Sequence, residues 1–250
     1  MWRTVLALVL REMSTRYGRT PGGYIWAIVE PLGFIVLLSI GFSLLLRSPS
    51  LGSNFLIFYA TGFLPFQMYQ GVQVAVARSI IFSAPLLTYP TVTWIDAIAA
   101  RFLLNVLTTA LVVYLLLTGI ILATETRVVL DAETALLALA LNALLGLGVG
   151  TLNCCLMGLF PTYDVVWSIA TRPLFLASGI FYIYEDLPAM AQAVLWWNPL
   201  MHTSGLMRQG FYGMYDPQYV SVLYVLIVSL VPLALGLLLL RRYNKDIMNR

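Results

Sequence analysis

Long apolar runs almost free of charge are the feature that most constrains this chain. About 20 apolar residues let an α-helix cross the hydrocarbon core of a bilayer. Inside that core every backbone polar group must find its partner within the protein, so helices are the economical solution. Six such runs lie near 24–46, 54–77, 97–123, 134–158, 165–184 and 218–240. Composition closes off the soluble alternative. Of the 250 residues, 60% are hydrophobic and 10% are charged, whereas soluble domains carry roughly 25% charged residues. The expected fold is an all-α integral membrane protein with six transmembrane helices, one domain over 1–250.

Segments 1–20, 78–96 and 185–217 lie outside these spans. Residues 1–20 read as an amphipathic helix lying in the membrane interface. Trp2, Val5, Leu6, Val9, Leu10, Met13 and Tyr17 share one face, with Arg3, Thr4, Arg11, Ser14 and Thr15 opposite. With six spans, nine basic residues fall on one side: Arg3, Arg11, Arg16, Arg19, Arg78, Arg241, Arg242, Lys245 and Arg250. Three fall on the other, Arg47, Arg127 and Arg208, while Arg101 and Arg172 fall within spans. The imbalance places both termini in the cytoplasm.

The inner loop 78–96 carries Ile81, Phe82, Leu86 and Leu87. So apolar a loop is expected either to dock onto a partner or to lie on lipid. The outer segment 185–217 is apolar and aromatic but broken by Pro188, Asn198-Pro199, Gly205, Gly210 and Gly213. Leu187 to Trp197 reads as a short helix, with Pro188 tolerated in its first turn. Asn198-Pro199 breaks it, and Leu200 to Gly210 reads as a second short helix. Neither can cross a bilayer, so a re-entrant helical hairpin entering from outside is expected before the last span. Trp196, Trp197 and Met201 would supply an apolar seal near its tip.

Catalytic chemistry finds no footing. There is one histidine, His202, and no pair at metal-ligand spacing. Cys154 and Cys155 are adjacent in an apolar run and suit neither metal nor disulfide. No serine nucleophile elbow appears. A phosphate loop needs glycines followed by lysine, yet the only lysine is Lys245. Gly146, Gly148 and Gly150 alternate in an apolar helix and read as small residues for close helix packing. No basic run large enough for nucleic acid is present. The chain is therefore not expected to be an enzyme, nor to hold a metal or cofactor.

Two features point to a pathway. In span two, Phe55, Tyr59, Phe63, Phe66 and Tyr69 share an arc with Gln70 and Gln73. Such a face can pack on apolar surface of a passing ligand while its amides bond hydroxyls. An ordinary packing or lipid-facing stripe is the alternative. Glu30 and Arg172 each lie ~10 Å into a span, a depth at which charges commonly pair or face a cavity. They are expected to pair within or across subunits, or else to snorkel separately.

The run Arg11-Glu12, Arg16-Tyr17-Gly18-Arg19-Thr20, Gly23-Tyr24-Ile25-Trp26-Ala27 and Glu30-Pro31-Leu32 resembles the start of ABC transporter permeases of the type-2 exporter family. The late block Leu187-Pro188, Trp197-Asn198-Pro199-Leu200 and Arg208 is similar to that family's external gate segment. The likeness is greatest to the capsular polysaccharide export branch. It implies a homodimer in the cytoplasmic (inner) membrane, bound to two ABC ATPase subunits that hold ATP and Mg. It further implies a coupling helix in 78–96, short gate helices in 185–217, a lipid-linked polysaccharide as substrate, and periplasmic and outer-membrane export components beyond. Export of O-antigen, teichoic acid or another lipid-linked glycan would use the same architecture. A secondary transporter would need buried acidic residues at a cavity, and only Glu30 lies well inside a span.

Overall fold

The structure, a computed structural model, describes residues 2–17, 23, 25–89, 91–124 and 130–248. Of the features above, Gly18, Arg19, Thr20, Tyr24, Arg127, Arg250 and the side chains of Ser14, Thr15, Arg16 and Tyr17 lie outside the described residues. Among the described residues the regular elements are all helical. They are α1 (Trp2–Tyr17), α2 (Ile25–Ser43), α3 (Phe55–Ala77), α4 (Ser79–Leu87), α5 (Trp94–Thr124) and α6 (Ala132–Leu159). Then follow α7 (Pro161–Thr171), α8 (Leu174–Ala177), a 3-10 turn (Tyr184–Asp186), α9 (Ala189–Leu195), α10 (Pro199–Phe211) and α11 (Val222–Met248).

Five of these are long and apolar enough to cross a membrane: α2, α3 running on into α4, α5, α6 and α11. Side-chain oxygens start three helices by accepting from the first free N–H groups. Asn54 accepts from Leu56 before α3, Asp131 from Glu133 and Thr134 before α6, and Asn198 from Leu200 before α10. The expected span 165–184 is not one helix. α7 stops at Thr171, α8 spans only Leu174–Ala177, and Gly179 adopts a left-handed φ of 74°. Pro173 cannot donate to a helical ladder, although Arg172 before it keeps helical backbone angles of −56° and −46°. The hydropathy run passes straight over both breaks.

α6 is the central element, packed along α3 on one side and α11 on the other. The alternating glycines make this possible. A Cβ at Gly146 would stand 2.9 Å from the Tyr69 carbonyl, and one at Gly150 2.9 Å from that of Gln73, both on α3. A Cβ at Gly148 would collide with the Ser229 carbonyl on α11. In lipid, apolar burial does not drive helices together, so such close backbone approach supplies the cohesion. The expected role of these glycines in helix packing holds.

α1 lies against α5 through Val5, Val9, Ala100 and Leu104. Its apolar face is split. Val5, Val9 and Glu12 form an i, i+4, i+7 row that is buried, while Trp2, Leu6, Leu10 and Met13 stay exposed.

Candidate functional site

α3 presents the expected stripe, and its two ends differ. Towards the Asn54 end the rings close on one another. Tyr59 is buried and lies 6.3 Å from Phe55, 5.4 Å from Phe42 and 6.5 Å from Phe181, centroid to centroid. Phe63 lies 4.6 Å from Phe34 and 6.4 Å from Phe175. Phe175 and Phe181 meet edge-on at 5.2 Å. Towards the Arg78 end the same face opens. Phe66, Tyr69, Gln70 and Gln73 line a cavity of about 330 Å³ with Asp164, Trp167, Arg172 and Phe175. A second cavity of about 560 Å³ shares Gln70, Val74 and Arg78 with the first and adds Glu30, Gln67, Glu12 and Arg101.

Glu30 and Arg172 do not pair with one another within the chain. Both are exposed, and they open onto these two different cavities on either side of Gln70. Ion pairs form elsewhere. Arg101 Nε lies 3.1 Å from Glu12 with both side chains nearly buried, and Arg78 lies 3.4 Å from Asp164 on an exposed edge. The Arg101 guanidinium also donates to the Ala75 carbonyl at 3.3 Å and sits 3.9 Å above the Phe82 ring. One arginine thus ties α1, the end of α3, α4 and α5 together. Sequence reading missed this brace because Glu12 lies within an otherwise apolar row of α1. The residue spacing Val5, Val9, Glu12 was the signal available.

Of the expected docking residues on α4, Ile81 and Phe82 are exposed, while Leu86 and Leu87 are half-buried. A groove of about 650 Å³ beside them is lined by Ile80, Ile81, Ala84, Pro161, Ile247 and Met248.

The segment after α8 has no helical ladder, so its carbonyls need other partners, and α10 with its cap provides them. Asn198 Nδ2 donates to Ala177 at 2.8 Å, Ser204 Oγ to Ser178 at 2.8 Å, and Arg208 to Ile180 at 3.0 Å and Tyr182 at 2.6 Å. α10 also runs antiparallel along α6. A Cβ at Gly210 would stand 2.9 Å from Ala135 N, and the Thr203 hydroxyl donates to Asn142 at 3.1 Å. Of the expected seal residues, Met201 is fully buried against Gly179, Trp196 is half-buried, and Trp197 is 68% exposed. Pro188 is exposed and Pro199 half-buried at the start of α10. His202 is buried, its Nε2 2.8 Å from the Trp196 carbonyl and its Nδ1 accepting from Ser221 N–H. Both ring nitrogens are thus satisfied within the protein. Arg208, by contrast, was counted as a loop charge and is 1% exposed inside the protein.

Comparison with known proteins follows this geometry. The family described as ABC-2 type transporter matches residues 3–212. The chain is 31% identical over 238 residues to the polysialic acid transport protein KpsM of Escherichia coli, covering 95% of this chain and 92% of that one. It is 27% identical over 245 residues to the capsule polysaccharide export inner-membrane protein BexB of Haemophilus influenzae, covering 98% and 92%. It is 28% identical over 245 residues to the protein of the same description, CtrC, of Neisseria meningitidis serogroup A, again covering 98% and 92%. With a family match over most of its length and a relative above 30% identity along nearly all of it, the chain belongs to the ABC-2 type transporter family.

Proposed function

We propose that this chain is the membrane-spanning permease subunit of an ATP-driven exporter that carries a lipid-linked capsular polysaccharide across the cytoplasmic membrane. The observation that carries the reading is the two-ended face of α3. It offers aromatic rings and amides to a cavity at the Arg78 end and is shut by packed rings at the Asn54 end. Rings and amides together suit a sugar's apolar faces and hydroxyls, and relatives along nearly the whole chain are named for capsule polysaccharide export and polysialic acid transport. ATP and Mg belong to a separate ATPase that docks on α4 through Ile81 and Phe82.

In this reading the Arg78 end and both termini face the cytoplasm, following the excess of basic residues there. The sixth crossing is the broken run from Pro161 to Tyr184. α9 and α10 form the hairpin dipping from outside. Its support is the register of α10 along α6, which places Asn198 roughly 18 Å from Gly210 along the helix axis. A homodimer is supported by α7, which buries no residue and exposes Val165, Val166 and Ile169.

The test is deletion of this chain in its native host. Surface polysaccharide is expected to vanish and polymer to accumulate in the cytoplasm, with restoration by the intact chain. Unchanged surface polysaccharide would overturn the reading.

A further inference from the structure

Arg208 has no carboxylate within ion-pair distance among the described residues. Glu185, on the segment beside it, accepts from the Tyr215 hydroxyl at 2.8 Å instead. A buried guanidinium without a counter-ion is costly, so what it holds is informative. Its two amino groups take the carbonyls of Ile180 and Tyr182, the residues on either side of Phe181. Its plane rests on the Phe58 ring, 4.2 Å away. Gly62 leaves room for this arrangement, since a Cβ there would stand 3.1 Å from Nη2 and 3.0 Å from Ile180 Cα. Between the two held carbonyls, the Phe181 ring meets Phe42 of α2 at 5.6 Å, Tyr59 of α3 at 6.5 Å and Phe175 of α8 at 5.2 Å. Phe175 of α8 also meets rings of α2 and α3, but Phe181 alone of the rings in this cluster sits on backbone with no ladder of its own.

We propose that Arg208 is the positioning residue of the aromatic closure: by clamping the carbonyls of Ile180 and Tyr182 it holds Phe181 in the path and seals the resting transporter. Charge-assisted bonds to two successive same-side carbonyls fix both position and rotation of the intervening residue. The inference rests on the translocation reading above, because a seal matters only if α3 lines a path.

The experiment measures leak of a trapped small polar dye from vesicles holding this chain with its ATPase partner, without nucleotide. Phe181→Ala is expected to leak. Arg208→Met is expected to leak to a similar degree, roughly tenfold above the unaltered protein, and the double variant no more than either alone. Arg208→Lys, which keeps the charge but not the fork, is expected to fall between. A tight Phe181→Ala transporter would sink the closure itself. A leaky Phe181→Ala with tight, fully assembled Arg208 variants would leave the closure standing and overturn the role of Arg208. Additive leak in the double variant would overturn it as well. Should Arg208→Met fail to assemble, Arg208→Lys decides alone, leak supporting the role and tightness overturning it.

Discussion

The two ends of α3 are held by different kinds of interaction. Near Asn54, order comes from backbone carbonyls taken by side chains of α10 and its cap, and from rings packed on rings. Near Arg78, order comes from ion pairs, Glu12 with Arg101 and Asp164 with Arg78, set around cavities that charged and amide side chains help to line. A carbonyl held by a buried donor has no substitute when that donor goes. An exposed ion pair does, because solvent takes over. The closed end should therefore be brittle and the open end tolerant, with tolerance graded by exposure.

Substitutions along this gradient test the contrast. The largest effect is expected at Arg208→Ala, which strands two carbonyls and empties a buried site. The two stranded carbonyls should cost roughly 1–3 kcal/mol each and show as a lowered unfolding midpoint in detergent. A midpoint within a degree of the unaltered protein would erase the distinction. Next comes Glu12→Gln. It removes the carboxylate charge paired with the nearly buried Arg101, with side-chain exposures of 11% and 7% for the pair, and should cost about 2–3 kcal/mol. Arg78→Ala should cost less than ~1 kcal/mol, since that pair is 59% and 48% exposed. A loss equal to that of Glu12→Gln would mean that exposure is not what grades the open end. The smallest effect on stability is expected at Gln70→Ala, an exposed amide at the junction of both cavities. Its unfolding midpoint should not move while surface polysaccharide falls at normal protein levels. Unchanged export there would count against sugar contact on this face.

Much of the scaffold was legible in the chain because hydropathy reports length in a bilayer directly. The runs at 54–77, 97–123 and 134–158 differ from α3, α5 and α6 by only a few residues at each end. The break at Asn198-Pro199 was legible for a local reason, a side chain that caps and a ring that cannot continue a helix. The break at Pro173 and Gly179 was not, because an apolar window averages over two short interruptions. The site was legible as composition and not as partnership. The stripe from Phe55 to Gln73 follows from helical periodicity, but where it opens depends on which rings come from α2 and α8. Likewise the charges that matter inside the protein, Glu12, Arg101 and Arg208, acquire their partners from remote segments.

The alternating glycines of α6 carry a mechanical consequence. Gly146 and Gly150 press α6 onto the backbone of α3, and Gly148 presses it onto that of α11. Val72 and Val76 of α3 close over Gly146 and Gly150, and a small separation forfeits contacts this close. α3, α6 and α11 then travel as a single slab, and the hinges of a transport stroke fall at the breaks on either side of α8, at Arg172-Pro173 and from Ser178 to Ile183. Spin labels on lipid-facing positions of α3 and α11 should keep a constant separation through the nucleotide cycle, while a label on α8 should move against both. A changing distance between α3 and α11 would show that the slab itself bends.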